Sequence, residues 1–348
     1  MGKKIFREGG PNKIRRVGQD KYTMTVPLPK DADGRVAREC PDDSCSPGYF
    51  KVKEGTGITA GQREAFCPYC RKAAKPDGFP TKAQIRYAKD LVVKEAHQGV
   101  ERMICDALGI GPSGKKSLGS GLVSVEMSHK PGRKPAVRRP YEEELRRDVV
   151  CPKCGLDQSV YGLAVWCADC GEDIFLTHVR AELEVLQAML SDVDRRHETL
   201  GRRVSARDLE NCLEDTVSIF EVTLRTMARQ YQIRRGDSAI EIEKFFKKTG
   251  NAFQNIQRSK KILSEHFEID LLQGLSAADA EYLARAFEKR HPITHNLGVV
   301  DKKYIERVRA AEKEGREILI SAGEISRAIE LSFRIFESLH TRMFGVGK

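Results

Sequence analysis

Hydrophobic patterning changes character once along the chain. Up to about Gly171, apolar residues come in short alternating runs broken by Pro and Gly; beyond it they recur every three or four positions over long stretches. Residues 22–26 alternate as a short strand that Pro27 and Pro29 stop, residues 49–52 read as a second, and residues 122–127 as a third. One helical pattern interrupts this half. It opens at Thr81, which with Gln84 forms a capping-box signature, and it ends near Gly109. Ile85, Ala88, Val92, Ala96, Val100, Met103 and Ile104 mark its apolar face. The second half predicts helices over 178–200, from a cap at Ser205 to about 232, and over 242–267 with Gly250 and Asn251 as an interruption. Another runs from a cap at Ser276 into Arg290, and a last one spans about 321–344. The pattern predicts an α+β module over residues 1–176 and an all-α helical bundle over 177–348.

Composition adds a partner class. The 348 residues are 40% hydrophobic and 32% charged, the balance of a folded globular protein. Net charge is +10, of which residues 1–176 carry +8 and residues 177–348 carry +2. An anionic partner, most simply RNA or another nucleic acid, is therefore expected on the first half. Residues 1–21 form a basic arm. Lys115, Lys116, Lys130, Arg133, Lys134, Arg138 and Arg139 crowd a loop-like stretch whose single acid is Glu126. Phosphate contact and plain solvation are both open there, and no aromatic residue interleaves to stack on bases. No apolar run reaches the length of a membrane span and Met1-Gly2-Lys3-Lys4 leads into no hydrophobic signal core, so a cytoplasmic protein is expected.

Ten cysteines, most in closely spaced pairs, suggest metal in a reducing compartment more than disulfides. Cys40, Cys45, Cys67 and Cys70 make one candidate site, with Pro68 and the polar residues 41–44 marking turns. Cys151, Cys154, Cys167 and Cys170 make a second, two Cys-x-x-Cys knuckles with twelve residues between them. Gly155 and Gly171 follow the knuckles where positive φ is tolerated, and residues 159–166 read as the strands between. Four thiolates with no fifth ligand imply a closed, structural Zn²⁺ at each site and no catalytic metal. Cys105 and Cys212 fall at packing positions. The first module is thus a zinc-ribbon module with two four-cysteine sites, short strands and one long helix, whose small cores depend on metal.

Arg290-His291-Pro292-Ile293-Thr294-His295 concentrates chemistry in the second half. An arginine can clamp phosphate, and a histidine can move a proton near neutral pH. His291 and His295 are four apart and share a helix face; Arg290 and His295 are separated by about 140°. Pro292 removes a backbone donor and disturbs the turn. On residue types alone, a helix end whose Lys289, Arg290 and His291 complement the dipole ranks first.

The hexapeptide also matches the signature of the HEPN superfamily: an arginine, a polar residue, three variable positions and a histidine. The following Gly298-Val299-Val300-Asp301-Lys302-Lys303-Tyr304 resembles a Gly-x-Val-Asp-x-x-Tyr segment that comes after the motif in some HEPN families, and Gly315 and residues 318–320 continue the likeness. The resemblance covers about residues 178–348. It implies a metal-independent RNA endonuclease that works as a homodimer, by 2′-hydroxyl attack on the adjacent phosphate. His295 would be the general acid or base, Arg290 would stabilise the phosphate, and His291 would position substrate or the partner copy's groups. Many members act as toxins or in antiphage defence, and others are inactive scaffolds or nucleotide-binding partners; a regulatory protein partner is a further expectation for this chain. The alternative from the residues is a non-catalytic nucleic-acid-binding or regulatory protein whose basic zinc half does the work.

Overall fold

The computed structural model describes residues 5–19, 21–110, 114–118, 125–308 and 312–345. The chain splits into two units, residues 1–161 with 166–172, and residues 162–165 with 173–348. The first is mixed α/β and the second is mostly helical.

The first unit begins with a hairpin of β1 (Arg15–Gly18) and β2 (Lys21–Thr23). Next come β3 (Arg35–Glu39), β4 (Tyr49–Lys53), the two-residue β5 (Ala65–Phe66) and β6 (Ala73–Ala74), and the long helix α1 (Lys82–Leu108). After α1 lie β7 (Lys115–Leu118), β8 (Val125–Ser128), β9 (Arg147–Val150) and β10 (Asp157–Val160). Residues 122–124 of the third predicted strand lie outside the described residues; the rest of it enters β8, paired with β7. The central sheet has the order β3-β4-β10-β9, with every neighbour antiparallel. It is two hairpins joined edge to edge, and the β4–β10 pairing consumes an open edge of each. Phe50, Val52, Val149 and Val160 form its buried face, and Phe79 meets Phe50 edge-on with ring centroids 5.9 Å apart.

The capping box at α1 is present in full. Thr81 Oγ1 accepts from the Gln84 amide at 3.1 Å and Gln84 Oε1 accepts from the Thr81 amide at 3.0 Å. Gln84 Nε2 also donates to the Ala37 carbonyl at 2.9 Å, which ties the helix to β3. The predicted apolar face is not the buried one. Ile85, Val92, Val100 and Ile104 are exposed, and the buried positions are Gln84, Leu91 and Gly99. Polar anchoring of extended segments explains this. Asn12 donates to Glu95, the Gly132 amide to Glu101 and the Arg138 amide to Asp90.

The second unit holds α2 (Phe175–Ser191), α3 (Val193–Leu200), α4 (Arg202–Arg235), α5 (Ala239–Thr249), α6 (Ile256–Phe267), α7 (Ala277–Glu288), α8 (Arg290–Asn296), α9 (Lys302–Val308) and α10 (Ala322–Phe344). Residues 176 and 177, where the pattern put the boundary, lie in the first turn of α2. The predicted 178–200 helix is two helices broken at Asp192, whose carboxylate accepts from Nε and Nη2 of Arg195 at 2.6 Å each. Ser205 is no cap: α4 starts earlier, with Gly201 at the cap position, and Ser205 Oγ donates back to the Arg202 carbonyl at 3.0 Å. Gly250 and Asn251 do interrupt the next helix, and Ser276 and Ser321 cap α7 and α10. α4 buries Leu213, Val217, Phe220, Leu224 and Met227 at helical spacing. Phe220 packs edge-on to Phe287 at 5.0 Å and tilted on Phe336 at 5.3 Å, which locks α4 to α7 and α10. Among the described residues no helix is long and apolar enough to cross a membrane.

Candidate functional site

Both predicted cysteine groups assemble, each with its four Sγ atoms within 4.8 Å of one another. Sγ–Sγ distances are 3.6 Å for Cys40–Cys70 and 3.7 Å for Cys45–Cys67 in the first. In the second they are 3.7 Å for Cys151–Cys170 and 3.5 Å for Cys154–Cys167. A tetrahedral ion with bonds to sulfur of about 2.3 Å needs edges of about 3.8 Å, so both groups fit an ion such as zinc. The fold explains the convergence. One pair of each set sits in a sheet hairpin turn, Cys40 and Cys45 between β3 and β4, and Cys151 and Cys154 between β9 and β10. The other pairs come from turns bonded to each other, Phe66 N to Ala168 O at 2.8 Å and Trp166 N to Pro68 O at 3.0 Å.

Protons distribute unevenly over the first group. A hydrogen bond from Cys67 draws Cys70 down to about 5, while burial pushes Cys45 up to about 12. One thiolate forms easily and the next ones against it do not, a conflict that a divalent cation removes. Gly155 and Gly171 have φ of 76° and 65°, as the knuckles need. After Cys70 the equivalent position is Arg71, at φ 62°, and its guanidinium lies 4.4 Å over the Trp166 ring. Sequence reading missed Arg71; the signal was its register, directly after the second cysteine of a knuckle.

The hexapeptide occupies a helix of its own. α7 stops at Glu288, Lys289 forms the joint, and α8 starts at Arg290. Lys289 is fixed there by Glu324 at 2.8 Å and the Leu319 carbonyl at 2.9 Å. Pro292 therefore falls in a first turn, where its missing N–H is one that the helix leaves unbonded in any case. His291 and His295 share a face, with ring centroids 5.1 Å apart. His291 Nε2 lies 3.7 Å from Asp301. Burial draws the His291 pKa below the ordinary histidine range, against the opposing pull of Asp301. His295 is exposed. Arg290 turns elsewhere: its Nη1 donates to Gln254 Oε1 at 2.9 Å, and Gln254 Nε2 donates to Glu221 at 2.7 Å. Arg290 Nε is buried with no hydrogen-bond partner among the described residues. One chain thus brings His291 and His295 together and holds Arg290 on a different bonding network. Gln254 and Glu221 were not legible as parts of this site, since both are more than thirty residues from Arg290 in sequence.

The segment after the motif has architectural work. Leu297 and Gly298, at φ 50° and 80°, close α8 through a bond from Gly298 N to Pro292 O at 2.9 Å. Asp301 accepts from the Tyr304 amide at 2.7 Å and opens α9, while the Tyr304 side chain is fully buried. Ile318 N to Gly298 O at 2.8 Å and Val300 N to Arg316 O at 2.9 Å pair residues 298–300 with the returning chain.

In the basic stretch, Lys115 pairs with Glu126 at 3.2 Å and Lys116 donates to the Leu108 carbonyl at 3.0 Å. Lys130, Arg133, Lys134, Arg138 and Arg139 are exposed and their side chains have no ion pair among the described residues. The backbone carrying them is pinned along α1 by Glu101 and Asp90, so the charges stand on a fixed support. Lys3 and Lys4 of the basic arm lie outside the described residues.

No family model, no curated protein and no solved structure matches the chain.

Proposed function

We propose that the second unit is a metal-independent endoribonuclease of HEPN type, and that the first unit, stapled by two structural Zn²⁺ ions, recognises nucleic acid or a trigger. The observation that carries this reading is the pairing of His291 and His295 on one face of a short helix that also begins with Arg290. RNA brings its own nucleophile, so a protein needs to supply proton transfer and charge. The exposed His295 would exchange the proton, with the neutral His291 beside it able to accept a hydrogen bond. Arg290 and His295 leave α8 in different directions, which favours a shared site in which a second copy of the chain contributes one of them. Activity of this kind fits a toxin or antiphage effector held by a regulatory protein partner. In a brief incubation with RNA and EDTA, the wild type cleaves, and His295→Ala and Arg290→Ala each lose at least about a hundredfold, the first as the general acid–base contribution and the second as transition-state charge stabilisation. Equal cleavage by all three proteins contradicts the assignment.

One observation favours a non-catalytic, nucleic-acid-binding scaffold. The Arg290 guanidinium is already engaged by Gln254, and the cluster of Lys130, Arg133, Lys134, Arg138 and Arg139, without ion pairs among the described residues, lies in the first unit. That reading predicts salt-sensitive RNA binding that survives His295→Ala and yields no cleavage products.

A further inference from the structure

The second unit contains a cavity of about 1070 Å³ at the end of α8, at the upper limit of ordinary ligand pockets. His197, Arg202 and Arg203 line one side of it; Leu297, Gly298 and Leu319 line the other. We infer that this cavity is a phosphodiester-binding subsite that takes a single-stranded nucleic acid next to the hexapeptide. The argument is one of charge accounting. Arg195, Arg196 and Arg207 each form an ion pair with a carboxylate, Asp192 at 2.6 Å, Asp208 at 3.0 Å and Glu210 at 2.8 Å. Arg202 and Arg203, between them in sequence, are exposed and have no side-chain hydrogen bond or ion pair among the described residues. Two guanidiniums are thus left for a ligand beside three that already hold carboxylates. Two carboxylates belong to the lining, Glu210 and Glu317, and Arg207 neutralises the first.

Guanidinium matches a phosphate with paired N–H donors, and a phosphodiester chain offers such groups in series. The rest of the lining sets the mode of binding. Leu297 is 84% exposed and Leu319 80%, among the described residues no Phe, Tyr or Trp lines the cavity, and the His197 ring is tied to Ser205 at 3.1 Å, so bases would be covered with little stacking and sequence preference would be weak. Leu297 and Gly298 end the helix that carries His291 and His295, so a strand bound in the cavity continues toward those residues. The sugar identity rests on the nuclease reading; the phosphodiester site does not.

The test uses the full chain and a short single-stranded 2′-O-methyl RNA, whose blocked nucleophile prevents cleavage, with fluorescence anisotropy across a salt series. Both the wild type and Arg202→Ala/Arg203→Ala are measured in a background where Lys130, Arg133, Lys134, Arg138 and Arg139 are Ala, which removes the basic cluster of the first unit. The double variant is expected to weaken binding about tenfold at low salt and to flatten the slope of log K against log salt by about 1.4, for two single-strand phosphate contacts. Circular dichroism checks the fold. Equal affinity and slope for the two proteins, or no binding by the background protein, overturn the subsite. Loss of binding in the double variant, with wild-type protein that cuts no RNA, keeps the subsite and rejects the nuclease. Equal loss with single-stranded DNA supports the subsite and shows that the 2′ position is not read there.

Discussion

His291 is the residue whose surroundings say most about how the motif could work. It is partly buried, lies 5.1 Å from the His295 ring, and is held neutral by burial against the pull of Asp301. A folded-state pKa below the unfolded one has a defined sign. As pH falls through about 6.5, the unfolded chain takes up the proton first, so stability drops and then levels off below the folded-state pKa; above neutrality nothing changes. Urea unfolding across that window is expected to show the slope in the wild type and less of it in His291→Gln. The same slope in both proteins contradicts the burial argument. Arg290 offers the opposite lesson. Its type and position were legible, but its bond to Gln254 was not, because that contact depends on how the turn at residues 252–254 meets the start of α8.

At the scale of elements, helix ends were legible and helix faces less so. Thr81, Ser276 and Ser321 cap as their side chains dictate, because an N-cap is a local bond between a hydroxyl and an amide two or three residues on. The α1 face failed because burial is decided by what arrives from elsewhere, here segments tied to Asp90, Glu95 and Glu101. Ser205 failed because hydroxyl and helix pattern cannot fix a start that a glycine one turn earlier also permits. The joint at Lys289 gives Pro292 its place. If the chain from α7 were one helix, Pro292→Ala would stabilise the protein by about 3 kcal/mol. With Pro292 in a first turn, the substitution is expected to change stability by less than about 1 kcal/mol, read from denaturant midpoints. A large stabilisation would mean the joint is not there in solution.

For the whole molecule, two units imply two kinds of stability. The first has a small sheet whose turns end in two four-cysteine groups, and the second has a packed core around Phe220. Prolonged chelation is expected to release two zinc ions per chain and unfold the first unit, while far-ultraviolet dichroism keeps most of the helical signal of the second. Cooperative loss of both together contradicts independent units. Spacing made the two cysteine groups legible, because metal chemistry fixes which residues must converge. It did not reveal that the two hairpins share one sheet, since β4–β10 pairing is a contact between residues over a hundred positions apart. The central claim, that α8 carries a ribonuclease half-site, is tested most directly by the ends of the RNA it leaves. Under brief chelation, wild-type protein is expected to produce 2′,3′-cyclic phosphate and 5′-hydroxyl ends, which His295→Ala does not. Intact RNA, or ends that His295→Ala yields equally well, would contradict it.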